Sequence, residues 1–175
     1  MRVKIPLVGF SAWSGTGKTT LLKQVIPLLK ARGLRIAVIK HAHHDFDLDK
    51  PGKDSYELRK SGADQTVICT TTRMALISEF ATPADEPTLD QILALLDGDK
   101  IDLVLVEGYK HLPIAKIELH RTGLGTPYMH PQDSSIIAIA CDAALPETGT
   151  IPVLDINHIE SVAAFIYDQV YLKAV

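Results

Sequence analysis

The hydrophobic pattern divides the chain into short apolar runs, amphipathic stripes and polar loops. Ile5–Phe10 is a compact run of strand formers, consistent with a buried parallel strand. Lys18–Arg32 then carries Leu21, Leu22, Val25, Ile26, Leu28 and Leu29 on a broad helical stripe. Pro27 falls inside that stripe and predicts a kink or local break, and Gly33 predicts a C-terminal cap. Leu34–Lys40 is a second buried strand, so a parallel pair is expected from the first forty residues. Asp54 with Glu57 has capping-box spacing and opens a short helix that stops at Gly62. Gln65–Thr70 and Met74–Phe80, joined by a tight turn at Thr71–Arg73, predict an antiparallel hairpin inserted at about residues 64–80. Thr88–Leu96 has helical spacing. Ile101–Val106, Ala115–Leu119, Ser135–Ala140 and a short Ile151–Leu154 complete the strands, and Asn157–Leu172 is a closing helix. The expected architecture is α/β: one domain over 1–175, built on a doubly wound, mostly parallel sheet with an added hairpin.

Composition narrows the picture. The chain is 46% hydrophobic and 22% charged with a formal net charge of −3, the profile of an ordinary globular protein without the basic excess of a nucleic-acid binder. No apolar run approaches a membrane span of roughly 18 residues, and Ile5–Phe10 is too short for a secretory leader. Cys69 and Cys141 both lie in apolar, strand-like contexts and are expected as buried reduced thiols, which suits a cytoplasmic protein.

The strongest chemical signal is Ala12-Trp13-Ser14-Gly15-Thr16-Gly17-Lys18-Thr19, a Walker A loop except that Ala replaces the first Gly. Gly15 and Gly17 let successive backbone N–H groups turn inward around a phosphate. The helix start adds its positive end. Lys18 supplies a charge to the β- and γ-phosphates, and the Thr19 hydroxyl suits Mg²⁺. Ser14, Gly15, Thr16, Gly17, Lys18, Thr19 and Thr20 are the nucleotide-binding candidates. The buried strand before and amphipathic helix after give the motif its proper context, so the sheet is expected to be of the P-loop NTPase type. Trp13 is expected to pack or act as a lid.

A second carboxylate should emerge at the end of a neighbouring strand, and Glu107 satisfies this after Leu103–Val106. It could hold a Mg²⁺-bound water or orient the attacking water. Asp102, at the other end of that strand, is on the wrong edge. Lys40-His41-Ala42-His43-His44-Asp45-Phe46-Asp47 follows the second strand, and Mg²⁺ prefers its aspartates to imidazole, so Asp45 is a metal and catalytic candidate with Asp47 behind it. Zinc is a weaker reading of the histidines, and Lys53, Tyr56 and Arg59 could contact an anionic ligand. No Asn-Lys-x-Asp guanine reader occurs, but Asp142, just past Ser135–Ala140, lies where a base-recognising carboxylate could sit.

The loop AWSGTGKTTL, the stretch IKHAHHDFDLDKPGKDSYELRKSGA and the strand LVLVEGYKH together resemble the molybdopterin-guanine dinucleotide biosynthesis protein B family over nearly the whole chain. The resemblance implies a GTP- and Mg²⁺-binding homodimer with weak GTPase activity. It further implies an adaptor that assists a MobA-type guanylyltransferase in attaching GMP to molybdopterin, itself a potential contact. Two other functions compete: a P-loop kinase of a small metabolite, and a nucleotide-gated binding module without turnover. Of the arginines a kinase lid could use, Arg59, Arg73 and Arg121, no segment gathers them, and none sits at a recognisable finger position.

Overall fold

The computed structural model describes residues 5–42, 46–82, 86–143 and 151–175. They form two compact units, Met1–His41 with Leu96–Val175, and Ala42–Leu95.

The first unit is a six-stranded parallel sheet. Its strands are β1 (Leu7–Ala12), β2 (Ile36–Lys40), β5 (Leu103–Glu107), β6 (Lys116–His120), β7 (Ile136–Cys141) and β8 (Val153–Asp155), in the order β2-β5-β1-β6-β7-β8. β1 and β2 are therefore parallel but not partners, contrary to the pairing expected from the first forty residues. β5 lies between them, with Leu7 against Val104 and Ile36 against Leu103. The reason is burial: Leu103, Val104, Leu105 and Val106 are all fully enclosed, which requires strands on both edges and cover on both faces.

Helix α1 (Lys18–Ala31) and helix α4 (Ile159–Phe165) share one apolar cluster with alternate residues of the strands: Val8 and Phe10, Leu103 and Leu105, Ile117 and Leu119, Ala138 and Ala140. Alternation puts one side-chain set of each strand against Leu21, Leu22, Val25 and Leu29 of α1 and Val162 and Ala163 of α4. The expected break at Pro27 does not occur, and α1 runs through it. Pro27 and Lys23, whose carbonyl loses its partner, both lie on the exposed face, where water replaces the missing bond. The helix closes as foreseen at Gly33, whose N–H donates to Lys30 O at 2.9 Å.

Beside this sheet, buried charges pin the loops. Lys116 Nζ donates to Lys110 O and Leu112 O, both at 2.8 Å, and pairs with Asp133 at 2.6 Å. Glu118, only 1% exposed, accepts from the backbone N–H groups of Met129 (2.7 Å) and His130 (2.8 Å). Each charge is compensated, as burial demands. The loop between β6 and β7 is thereby held in a fixed course.

The second unit contains α2 (Asp54–Lys60), the hairpin β3 (Gln65–Cys69) and β4 (Met74–Ser78), and the short α3 (Leu89–Leu93). The hairpin forms its own antiparallel two-stranded sheet, with Val67 opposite Leu76 and Cys69 opposite Met74. Asp54 does not cap α2. Lys53 holds the cap position, and Glu57 reaches back to accept from the Gly52 N–H at 3.2 Å. The true capping box is at α3, where Thr88 and Gln91 satisfy each other's backbone N–H groups. Arg59 anchors the unit: it donates to Asp47 at 2.5 Å and Glu79 at 2.6 Å. Cys69 is exposed on the hairpin rather than buried, whereas Cys141 is buried as expected. Both are free thiols.

Candidate nucleotide site

All six parallel strands finish at one edge of the sheet, and the candidate groups of the first unit collect there. β1 ends at Ala12 and hands over to a loop that enters α1 at Lys18. Gly15 (φ 82°) and Gly17 (φ 94°) are both left-handed, a conformation that a side-chain-bearing residue reaches only with strain. Thr16 braces the turn, its hydroxyl donating to Trp13 O at 2.7 Å. At the helix start no side chain caps the first N–H groups and no acidic residue stands in the first turn. Those donors and the positive end of a 14-residue helix face the loop uncompensated, the arrangement that binds an anion. Lys18 is half-buried beside them, while Ser14, Thr19 and Thr20 are exposed to an incoming ligand.

Glu107 closes β5, in register with Phe10 of β1 on one side and Lys40 of β2 on the other. Its side chain is 15% exposed, with Lys40 Nζ at 3.9 Å. The backbone turns sharply after it. Gly108 (φ 99°) is followed by Tyr109 (φ 50°), the one non-glycine residue with positive φ among the described residues. A Cβ at position 108 would lie 2.6 Å from His41 Cβ, so only glycine lets the turn approach β2's end. The Tyr109 ring packs 4.7 Å from that of His41. Strain of this kind is kept where backbone placement matters, here directly behind the acid.

Asp142 follows β7. Its Oδ1 accepts from the Thr122 backbone N–H (3.0 Å) and hydroxyl (3.1 Å), and the backbone bond above all holds the carboxyl below its ordinary range. It walls a cavity of about 300 Å³ together with Cys141, Ala143, Val153, Leu154, Asp155 and Asn157, at the ends of β7 and β8. Burial pushes the Cys141 thiol up, so it enters the wall as a neutral group.

The structure thus brings the Ser14–Thr20 loop, Glu107 and Asp142 to the same edge of one sheet. Asp45, with His43 and His44, lies outside the described residues. Asp47 is engaged within the second unit by Arg59, whose hydrogen bond depresses its pKa. Arg59 is 7% exposed and doubly paired, so it is not the free anion contact that sequence suggested. Asp102 stands at the opposite edge, bound to Arg35 at 2.7 Å. No group of three or more His, Cys, Asp or Glu side chains able to hold a metal occurs among the described residues. The oxygen donors at this edge, the Thr19 hydroxyl and the Glu107 carboxylate, are of the kind a Mg²⁺ ion takes beside phosphate oxygens and several waters. Thr19 and Glu107 would supply the protein's share.

Sequence reasoning undervalued Arg121. At the end of β6, its Nε donates to Thr16 O at 3.2 Å and its Nη1 to Asn157 Oδ1 at 3.3 Å, with Asp142 Oδ2 3.7 Å away. The signal available was positional: it follows a strand ending at the phosphate-loop edge. Trp13 is also tethered, its Nε1 donating to Pro127 O at 2.9 Å.

A parallel sheet of this order, with a glycine loop opening the first helix and an acid ending the adjacent strand, defines a P-loop nucleotide-binding protein with the NTPase-like α/β fold. The sequence comparisons narrow the class. A family profile described as "Molybdopterin guanine dinucleotide synthesis protein B" matches residues 7–142. A protein of Escherichia coli K12 named molybdopterin-guanine dinucleotide biosynthesis adapter protein is 54% identical over 170 residues, covering 95% of this chain and 94% of its own. A Haemophilus influenzae protein of the same name is 42% identical over 166 residues, covering 95% and 90%. Among solved structures, molybdopterin-guanine biosynthesis protein B superposes with a TM-score of 0.71 at 26% identity, covering 93% of this chain and 99% of that one. Bacillus subtilis MobB superposes at 0.73 with 22% identity, covering 95% and 98%, which bears on the fold alone. The chain belongs to the molybdopterin guanine dinucleotide synthesis protein B family.

Proposed function

We propose that this protein binds GTP with Mg²⁺ and serves as an adaptor in the assembly of molybdopterin guanine dinucleotide. The observation that carries the nucleotide reading is the uncapped, acid-free start of α1 behind left-handed Gly15 and Gly17, with Glu107 ending the strand beside β1. Ser14–Thr20 cradle the phosphates, Lys18 neutralises the terminal ones, and Thr19 ligates the metal. Glu107 would hold a metal-bound water or orient the attacking water. Asp142 reads the base from the cavity wall. Hydrolysis is slow, because the arginine nearest the loop is committed to the Thr16 carbonyl and Asn157 rather than to a γ-phosphate.

The adaptor role rests on the relatives' names, and the partner is a MobA-type guanylyltransferase that handles molybdopterin. A homodimer is supported by the hairpin, which exposes Val67, Met74 and Leu76 on one face. The cytoplasm suits two free thiols. The test is a nucleotide competition series with Mg²⁺. GTP should displace a labelled nucleotide better than ATP, and Lys18→Ala should weaken triphosphate binding at least about tenfold. Equal or better ATP binding would overturn the guanine assignment, and unchanged affinity in folded Lys18→Ala would overturn the loop assignment.

A further inference from the structure

The phosphate loop and the cavity at β7 and β8 stand on different strands, with β6 between β1 and β7. A ligand that fills both must find them at a fixed separation. Backbone pairing sets the strand ends, but the loops beyond them need their own fastening. Arg121 leaves the end of the intervening strand and spans the gap. Its guanidinium donates to the Thr16 carbonyl within the phosphate loop and to Asn157 Oδ1 in the cavity wall, and it lies 3.7 Å from Asp142 Oδ2 in the same wall. The planar fork lets one cation hold several acceptors in a rigid geometry, which a lysine ammonium does not reproduce. Thr16 is itself buried at 2% exposure and locked onto Trp13 O, so a pull on its carbonyl is a pull on the whole turn.

We propose that Arg121 is a positioning residue that sets the spacing between the phosphate loop and the base cavity. A nucleoside triphosphate is thereby gripped as one ligand instead of as two weakly held halves. The inference rests on the nucleotide reading above and adds the device that joins its parts. Arg121 contributes little to either half alone, because its Nε and Nη1 donate to protein acceptors on the two sides of the gap. Its contribution appears when base and phosphates are covalently joined and both subsites must be met at once, a coupling free energy between sites.

The experiment compares three probes on the intact protein with Mg²⁺: GTP, inorganic tripolyphosphate and guanosine, each measured by displacement of a fluorescent GTP analogue. In Arg121→Gln, GTP affinity should fall about tenfold while tripolyphosphate and guanosine bind as in wild type. Arg121→Lys should show the same loss, since it keeps the charge but not the fork. Asn157→Ala, which removes the cavity-side acceptor and leaves the Arg121 bond to the Thr16 carbonyl, should reproduce part of the loss with GTP and none with tripolyphosphate. Several results overturn the inference: equal losses for GTP and tripolyphosphate, which make Arg121 a phosphate ligand; equal losses for GTP and guanosine, which make it a support of the cavity; full rescue by lysine; or no change at all. The underlying reading is tested by the wild-type protein alone. If wild-type protein binds tripolyphosphate as tightly as GTP, the cavity takes no base, and both fall together.

Discussion

The two units hold themselves together in opposite ways. The sheet unit has a continuous apolar interior: the four central residues of β5 are fully enclosed, and α1 and α4 press on one face. The unit formed by residues 42–95 has Leu89 as its one buried hydrophobic residue among the described ones. Arg59 is its buried polar group, bound to two carboxylates. Phe46, Leu48, Leu58, Val67, Met74 and Phe80 are more than half exposed there. Apolar burial gives a stiff frame on which ligand-binding loops keep their geometry. A unit organised by one cation and its acids has less to hold it and leaves more apolar surface exposed. Apolar enclosure and apolar exposure are thus assigned to different stretches of one chain.

The contrast can be broken at its strong end first. Leu105→Ala should cost about 2–5 kcal/mol in urea unfolding, because the cavity opens in a layer that cannot collapse. A cost typical of a surface substitution would show that the sheet is not the rigid partner. Glu107→Gln, on the same strand, should leave that stability alone. It should slow GTP hydrolysis about tenfold while affinity changes little, since shape is kept and charge lost. A wild-type rate would make the acid structural and move attention to Asp45.

The weaker unit is probed through its cation. Arg59→Gln should speed hydrogen exchange across residues 46–82 while residues 103–141 keep their protection, read by mass spectrometry. Loss of protection in the sheet strands would mean that the two units are not separate in energy. Acid should act in the same direction. Arg59 holds Asp47 below its ordinary pKa, so that pair's stabilisation is complete above the unfolded carboxyl value near 4 and is lost as pH falls through the folded value. Arg35 holds Asp102 down at about 2, chiefly through its side-chain hydrogen bond, so that link at the sheet edge persists further into acid. Exchange measured down a pH series should rise in 46–82 before it rises at residues 35–36 and 102–103; the reverse order would refute the assignment. The smallest effect is expected at the hairpin surface. Val67→Ser should change unfolding free energy by no more than about 0.5 kcal/mol. It should nonetheless weaken dimerisation seen by light scattering, and an unshifted mass would remove this face from the interface.

Periodicity made the strands and helices legible because each apolar run is either enclosed on both faces or striped on one. The loop motif was legible because phosphate binding requires particular residue types at particular spacings. What escaped were consequences of distant contacts. Nothing local in Ile101–Val106 says that it inserts between β1 and β2, although four enclosed residues in succession hint at a central strand. Pro27 read as a kink or break, and the break does not follow because the exposed setting, where water can take the place of the lost bond, is known only once α1 is packed. Cys69 read as buried because alternation in a hairpin gives one face away, and the sequence does not say which. Arg121 read as one scattered arginine because its meaning depends on which strand lies beside the phosphate loop.

Trp13 is the chain's one tryptophan, and it sits inside the phosphate loop with its indole N–H fastened to Pro127 O. The residue is 40% exposed, neither sealed in the core nor free in water. Indole emission from this protein therefore has a single origin, and that origin moves in polarity whenever the loop or its tether does. The molecule carries a built-in optical reporter of its own anion site, read without any label.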